Sequence, residues 1–172
     1  MRRRLLAVSL CAVLGACETS GPPPPPAPPP PSAQPAFRPA DFAWSVERGS
    51  AAIHGAVAYG RGFNCVGQPV VLVPEAAYSR WRIVQLYGSA DHADLPVAEV
   101  RSRQANRPSD DYQSYSKHTT CDGQGHFTFQ GLPSGAWYVI AIATPTGGQG
   151  QALVLMQRVE TRPGPAKSVV LD

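Results

Sequence analysis

The sequence has few charged residues and only a short apolar run near its N-terminus. Charged side chains make up 16% of the 172 residues, which argues against a highly charged disordered chain. The mostly apolar run Leu5–Leu14 is much shorter than the roughly 20 residues that a membrane-spanning helix needs. The length allows one ordinary domain with tails, and it excludes a doubly wound enzyme with a second domain.

Motifs of catalysis and nucleotide binding are also missing. The chain contains no Gly-x-Ser-x-Gly nucleophile elbow and no P-loop. The acidic pair Asp110 and Asp111 lies in a polar stretch, where carboxylates are more often solvated than catalytic. We therefore expect a non-enzymatic protein without a cofactor.

The first residues have the order of an export signal. Three arginines at positions 2–4 precede the apolar run, which ends in Leu14-Gly15-Ala16-Cys17. This ending resembles the lipobox of bacterial lipoproteins, which implies cleavage after residue 16 and acylation of Cys17. By the same resemblance, Glu18 rather than Asp after the cysteine implies an outer-membrane location. The alternative is an ordinary secretory peptide with a chance cysteine.

Processing would change the charge balance of the chain. The full sequence has 15 basic and 12 acidic side chains, and removal of residues 1–16 takes away three arginines. The mature protein is then close to neutral, so no nucleic-acid partner is expected. Membrane attachment would come from acyl chains, which anchor stably when two or more are present.

A proline-rich segment follows the predicted lipidation site. Eleven of the 19 prolines lie between positions 22 and 39. Consecutive prolines fix φ and remove backbone donors, so this segment favours polyproline II over helix or sheet. We predict a lipidated N-terminus and linker over residues 17–41 that holds the domain away from the membrane. A PxxP ligand for an SH3-like domain is the alternative.

Residues 42–172 have the pattern of one β-rich domain. Short alternating or apolar runs bounded by Gly and Pro turns indicate a sandwich or barrel. We predict strands at Ala52–Tyr59, Pro69–Pro74, His126–Gln130, Ala136–Thr144, Ala152–Glu160 and Lys167–Leu171. We also predict a short helix within Glu75–Tyr87, a possible strand at Val97–Val100 and an exposed loop over residues 104–116.

Residues 120–139, with the sequence TCDGQGHFTFQGLPSGAWYV, resemble the signature of carboxypeptidase-regulatory-like domains. In that family the pattern is Thr-x-Asp-x-x-Gly-x-Phe-x-Phe-x-x-Leu-Pro-x-Gly-x-Tyr-x-Val. The resemblance implies a transthyretin-like, or prealbumin-like, antiparallel β-sandwich of about seven strands with one short helix. Its residues are those of a packing motif, so it implies the fold and no particular activity.

The two cysteines of the domain, Cys65 and Cys121, can be assigned in two ways. In an exported protein they are expected to form a disulfide. Alternatively, the same two thiols could bind zinc together with His118 and His126, although this spacing is not a recognised finger. Alternation places His126 on the solvent side of its strand, so no metal site is predicted.

Aromatic residues are the candidate ligand-binding groups. Trp81 lies in the predicted helix, and Tyr112 and Tyr115 lie in the predicted loop, where we expect both tyrosines to be exposed. Exposed rings can stack on sugars or anchor a protein partner. For Trp81, burial against one end of the sandwich is the competing interpretation.

Together these features predict a membrane-anchored lipoprotein of the cell envelope. Its β-sandwich would be a non-enzymatic module that serves in binding or in envelope architecture, with an envelope protein or a glycan as the partner. The alternative is a dedicated carbohydrate-binding module for a cell-wall or surface glycan.

Overall fold

The computed structural model of the protein describes residues 34–60, 62–103 and 110–172. The predicted signal peptide, the lipidation site Cys17 and the proline run at positions 22–31 lie outside the described residues. Within the described part of the chain, no helix has the length and apolar character needed to cross a bilayer.

The described residues form nine strands and a few short helices. The strands are β1 Ala51–Val57, β2 Phe63–Asn64, β3 Pro69–Pro74, β4 His92–Pro96, β5 Lys117–Thr120, β6 His126–Leu132, β7 Gly135–Pro145, β8 Leu153–Thr161 and β9 Lys167–Leu171. The helices are a 3-10 helix at Pro39–Val46, followed by α1 Ala77–Tyr87, α2 Val97–Ser102 and α3 Asp110–Gln113.

The strands form two sheets, which confirms the predicted β-sandwich. The small sheet has the order β6-β1-β9, and the large sheet has the order β4-β8-β7-β3-β5 with β2 paired to β7. Neighbouring strands are antiparallel except for β1 and β9, which run parallel with Ile53 opposite Lys167. The number of strands is two more than the seven or so that the sequence pattern indicates.

The main core lies between the two sheets. Phe127 and Phe129 of β6 point inward and are 3% and 5% exposed, as the alternation of that strand predicts. Trp137 of β7 is fully buried, and its indole Nε1 donates a hydrogen bond to Thr161 Oγ1 at 3.0 Å. The buried tryptophan therefore has its polar atom satisfied inside the core.

A second core covers the outer face of the large sheet. Helix α1 lies on this face and packs Tyr78, Ile83 and Tyr87 against the sheet residues Tyr138 and Met156. The helix lies within the range Glu75–Tyr87 in which the sequence predicts it. The sandwich is thus buried on the inner face of the small sheet and on both faces of the large one.

Local interactions fix both ends of α1. Ser79 Oγ accepts a hydrogen bond from the Ala76 backbone N–H at 2.8 Å and donates to the Pro74 carbonyl at 2.7 Å. The helix ends at Gly88, which has φ of 76° and donates its N–H to the Val84 carbonyl. A left-handed glycine is the usual residue at such a C-terminus.

The region between α1 and β6 differs most from the predictions. The possible strand at Val97–Val100 is wrong, because these residues begin helix α2. Pro96 directly precedes them, and its fixed φ suits the start of a helix. Two strands that the sequence pattern does not indicate, β4 and β5, occupy the two edges of the large sheet.

The predicted disulfide between Cys65 and Cys121 is present, with Cα atoms 5.7 Å apart. The backbone reinforces it: Gly67 N–H donates to the Cys121 carbonyl, and Cys121 N–H donates to the Gln68 carbonyl. The disulfide uses both thiols that the alternative zinc site would need. His126 is exposed, as predicted. In residues 34–60, 62–103 and 110–172, no group of three or more His, Cys, Asp or Glu side chains is placed to hold a metal ion.

Candidate functional site

Five aromatic rings from distant parts of the chain meet on the outer side of the large sheet. This aromatic cluster consists of Phe37, Phe42, Tyr78, Tyr112 and Tyr115. Its ring centroids lie 5.1 to 6.2 Å apart, with the shortest separation between Tyr78 and Tyr112. The packing therefore includes Phe37, which lies inside the stretch that the sequence assigns to the linker.

The cluster changes the interpretation of the two loop tyrosines. Tyr112 is only 7% exposed and Tyr115 is half-buried, so the expectation that both are exposed is wrong. Tyr112 lies in the short helix α3, and the rings of Phe37 and Phe42 pack against it at 5.9 and 5.7 Å. Ligand binding by Tyr112 and Tyr115 stays a prediction.

Trp81 lies at the border of the aromatic cluster. It is half-buried on α1, and its ring centroid is 6.5 Å from that of Tyr78. Trp81 belongs to α1, whose residues Tyr78, Ile83 and Tyr87 pack on the outer face of the large sheet. The three predicted binding residues are thus neighbours in one region, which their separation in sequence does not reveal.

A cavity of about 270 Å³ lies next to the cluster, between α1, α3 and the large sheet. We call it the helix cavity. Its apolar wall is formed by Val71, Val73, Ile83, Leu86 and Ile140. Its polar groups come from Arg82, Tyr87, Tyr112, Gln113, Ser116 and His118. An apolar wall with a few converging polar groups is the usual composition of a small-molecule site.

A buried positive charge and two buried phenols set the electrostatics of the helix cavity. Arg82 is 8% exposed, and its guanidinium carbon lies 6.0 Å from the centre of the Tyr112 ring. Burial raises the pKa of Tyr87 to about 12, although the charge of Arg82 acts in the opposite direction. Burial also raises the pKa of Tyr112. Both phenols are therefore neutral near pH 7 and can donate hydrogen bonds.

A charged network holds the start of α1, and with it one wall of the cavity. Glu75 accepts hydrogen bonds from Arg80 at 2.7 Å and from the Tyr138 hydroxyl at 2.9 Å on Oε1, and from Arg158 at 2.7 Å on Oε2. Burial acts to raise the pKa of Glu75, but the hydrogen bonds from these three partners outweigh it and lower that pKa. Glu75 is thus an ionised link between α1 and strands β7 and β8.

The sequence indicated some of these residues and missed others. Arg82 lies within the predicted helix, and His118 was considered as a metal ligand rather than as a lining residue. Gln113 and Ser116 carry no local signal, because only the placement of α3 against the sheet brings them to the cavity.

The two packed sheets, with helix α1 on the outer face of the large one, place the protein in the class of β-sandwiches. No protein-family model matches the chain, and no curated protein matches it. A crystal structure from Pseudomonas aeruginosa, provisionally described as that of a carbohydrate binding protein, is similar with a TM-score of 0.55. The match has 20% identity and covers 80% of this chain and 98% of that chain. At this identity the likeness shows the fold.

Proposed function

We propose that the protein is an envelope lipoprotein whose β-sandwich is a non-enzymatic binding module for carbohydrate. The export signal and the lipobox resemblance at Cys17 support the anchor. The helix cavity is the observation that supports carbohydrate as the ligand.

The composition of the helix cavity suits a sugar ring. A pyranose has an apolar face of C–H groups, which can pack on the wall formed by Val73, Ile83 and Ile140. Its hydroxyls need partners when they leave water, because an unsatisfied buried hydroxyl costs about 1–3 kcal/mol. Neutral phenols and the side chains of Ser116 and His118 can supply such partners.

The size of the cavity limits the ligand. Small-molecule sites usually have volumes of about 300–1,000 Å³, and the helix cavity is at or below the lower end of that range. A single sugar ring is therefore a better match than an oligosaccharide. The description of the similar Pseudomonas aeruginosa protein supports the same ligand class.

Isothermal titration calorimetry of the purified protein with a panel of monosaccharides tests the proposal. We expect at least one sugar to bind, and we expect Tyr87→Phe to weaken that binding about tenfold, since one lost hydrogen bond is worth roughly 1 kcal/mol or slightly more. His118→Ala should have a similar effect. His126→Ala is the matched control, because His126 is an exposed histidine on the small sheet. No heat with any sugar, or equal affinity in all variants, would contradict the proposal.

A further inference from the structure

The stretch of chain that leads into the sandwich takes part in the aromatic cluster beside the helix cavity. We call residues 34–46 the N-terminal segment. It begins without regular secondary structure and continues into the 3-10 helix at Pro39–Val46. Phe37 of this segment is half-buried, and Phe42 is fully buried. These two rings join the N-terminal segment to the aromatic cluster.

The Phe37 ring packs against the region of helix α3 at two points. Its centroid lies 5.9 Å from that of Tyr112 and 6.2 Å from that of Tyr115, and both pairs are edge-on. Such aromatic pairs are favourable beyond the area that they bury. Helix α3 has only four residues, and a helix of this length is not stable without tertiary contacts. The rings of the N-terminal segment therefore help to hold α3 in place.

The same stretch of chain forms part of the helix cavity. We call residues 112–116, which include the end of α3, the α3 turn. Tyr112 and Tyr115 are one helical turn apart, and both pack in the aromatic cluster. Gln113 and Ser116 have the same spacing, and both line the cavity. One side of the α3 turn thus contacts the N-terminal segment, and another side forms cavity wall.

Tyr112 is the side chain that the cluster and the cavity share. Its ring lines the cavity, and it is also packed by neighbouring rings at angles of 77° to 80°. The centroids of Phe37, Phe42 and Tyr78 lie 5.9, 5.7 and 5.1 Å from its own. Because packed side chains shift when a neighbour is removed, the position of Tyr112 in the cavity wall depends on Phe37.

We propose that the N-terminal segment controls the sugar affinity of the helix cavity, with Phe37 as the positioning residue. When Phe37 is packed in the cluster, the α3 turn completes the cavity wall. When Phe37 leaves the cluster, Tyr112 loses one of its supporting rings and the wall loosens. The apparent affinity then falls with the fraction of molecules whose wall is complete.

This inference rests on the proposed sugar site and adds a regulator to it. The N-terminal segment is the part of the domain nearest in sequence to the predicted lipidation site at Cys17. Coupling between two sites is reciprocal, so a sugar that binds more tightly when Phe37 is packed also stabilises the packed position of Phe37. The segment that leads towards the predicted anchor and the binding site then influence each other.

Hydrogen exchange of the purified full-length protein tests the coupling without any sugar. We expect Phe37→Ala to speed amide exchange in the α3 turn about tenfold, since that turn loses part of its packing. Exchange in β1 should stay as in wild type, because β1 packs in the main core between the sheets. Phe37→Tyr keeps the ring and should leave exchange in the α3 turn unchanged.

Isothermal titration calorimetry measures the effect on affinity. Glucose, galactose, mannose and N-acetylglucosamine are titrated into each variant. For any sugar that wild type binds, we expect Phe37→Ala to weaken binding about tenfold, which is within the usual range of coupling between sites. Phe37→Tyr should bind as wild type does. Equal loss of affinity in both variants would contradict a role for the packed ring.

Phe63→Ala is the matched control for the loss of an aromatic pair. Phe63 is also half-buried, and its ring is edge-on to that of Tyr59 at 5.5 Å, but neither residue lines the helix cavity. This variant should leave exchange in the α3 turn and sugar affinity unchanged. Thermal unfolding of each variant identifies loss of fold. If Phe37→Ala does not fold, Phe37→Leu takes its place, because it removes the ring and keeps an apolar side chain.

Three results would overturn the coupling: unchanged exchange in the α3 turn of Phe37→Ala, an equal increase of exchange in β1, or wild-type sugar affinity in Phe37→Ala. Faster exchange confined to the α3 turn, together with no heat from any sugar, would keep the coupling between segment and cavity wall and reject the sugar site. Sugar binding that Phe37→Ala retains in full would keep the sugar site and reject the coupling.

Discussion

At the scale of single residues, Gly55 makes close contact between a strand and a core ring possible. Gly55 lies in β1 opposite Phe127 of β6. A Cβ atom at Gly55 would lie 2.0 Å from Phe127 Cζ, far inside van der Waals contact. The phenylalanine ring therefore occupies the space that any side chain at position 55 would need.

We expect Gly55→Ala to lower the free energy of unfolding by about 1–3 kcal/mol, since the added methyl group forces the Phe127 ring out of its position. Urea denaturation followed by tryptophan fluorescence measures the change. Gly123→Ala is the matched control, because a Cβ atom at Gly123 meets nothing within 4 Å. Equal stability of the two variants would contradict the packing described for β1.

Glu75 should make stability depend on pH. Its pKa in the folded protein lies below the ordinary value of 4.5, because its hydrogen bonds outweigh the effect of burial. A group with a lowered folded pKa stabilises the protein above its unfolded pKa, and this contribution is lost as the pH falls through the folded value. The ionised form is thus the stabilising one at neutral pH.

We expect Glu75→Gln to destabilise the protein by about 1–3 kcal/mol near neutral pH, since Arg158 and Tyr138 lose their charged acceptor. The difference from wild type should shrink as the pH falls below about 4.5. Urea denaturation of both proteins over this pH range measures the difference. Glu47→Gln is the control, because Glu47 is exposed. A difference that stays constant into acid would argue against the ionised network.

At the scale of elements, the disulfide joins the turn before β3 to the turn before β6. It closes a segment with a sequence separation of 56 residues, which includes α1, β4, α2 and β5. This segment supplies most of the wall of the helix cavity. The bond therefore ties the least regular part of the chain to the sandwich.

The double variant Cys65→Ser, Cys121→Ser should lose about 4 kcal/mol of stability in the loop-entropy model for a loop of this length. Denaturation with and without a reducing agent measures it. Reduction should lower the stability of wild type and leave the double variant unchanged. If the reducing agent leaves the stability of the wild-type protein unchanged, the disulfide does not have the stabilising role described.

Elements with a strong local signal were predictable from the sequence. The alternation around Phe127 and the continuous apolar run of β7 both predicted the strands that are present. Strands β4 and β5 were not predictable, because they have only five and four residues and become strands by pairing with β8 and β3, respectively. The burial of Tyr112 was missed for a similar reason, since the rings that cover it come from the distant N-terminal segment.

The helix cavity shows the same limit for the candidate site. Trp81 and Tyr112 were singled out because aromatic residues often bind ligands, and they do lie in or beside the region of the cavity. The cavity itself depends on how α1, α3 and three strands pack together. No pattern within any one of these elements encodes that arrangement.

At the scale of the whole molecule, the proposed anchor can be tested without knowledge of the ligand. We expect the wild-type protein to incorporate labelled palmitate and to sediment with membranes, and Cys17→Ser to lose both properties. Cys11→Ser is the matched control, since the lipoprotein resemblance makes Cys17 alone the acylated residue. Unlabelled wild-type protein would reject the lipoprotein assignment.

Because β9 pairs with β1, the small sheet is complete only once residues 167–171 are in place. Every strand of the large sheet precedes β9 in the chain. While the protein is being synthesised, β1 can pair with β6 but keeps its other edge open until residues 167–171 arrive. Open strand edges recruit strands from other chains. Chains that lack β9 therefore expose an open edge of β1, and we expect them to aggregate more readily than chains in which β9 is in place.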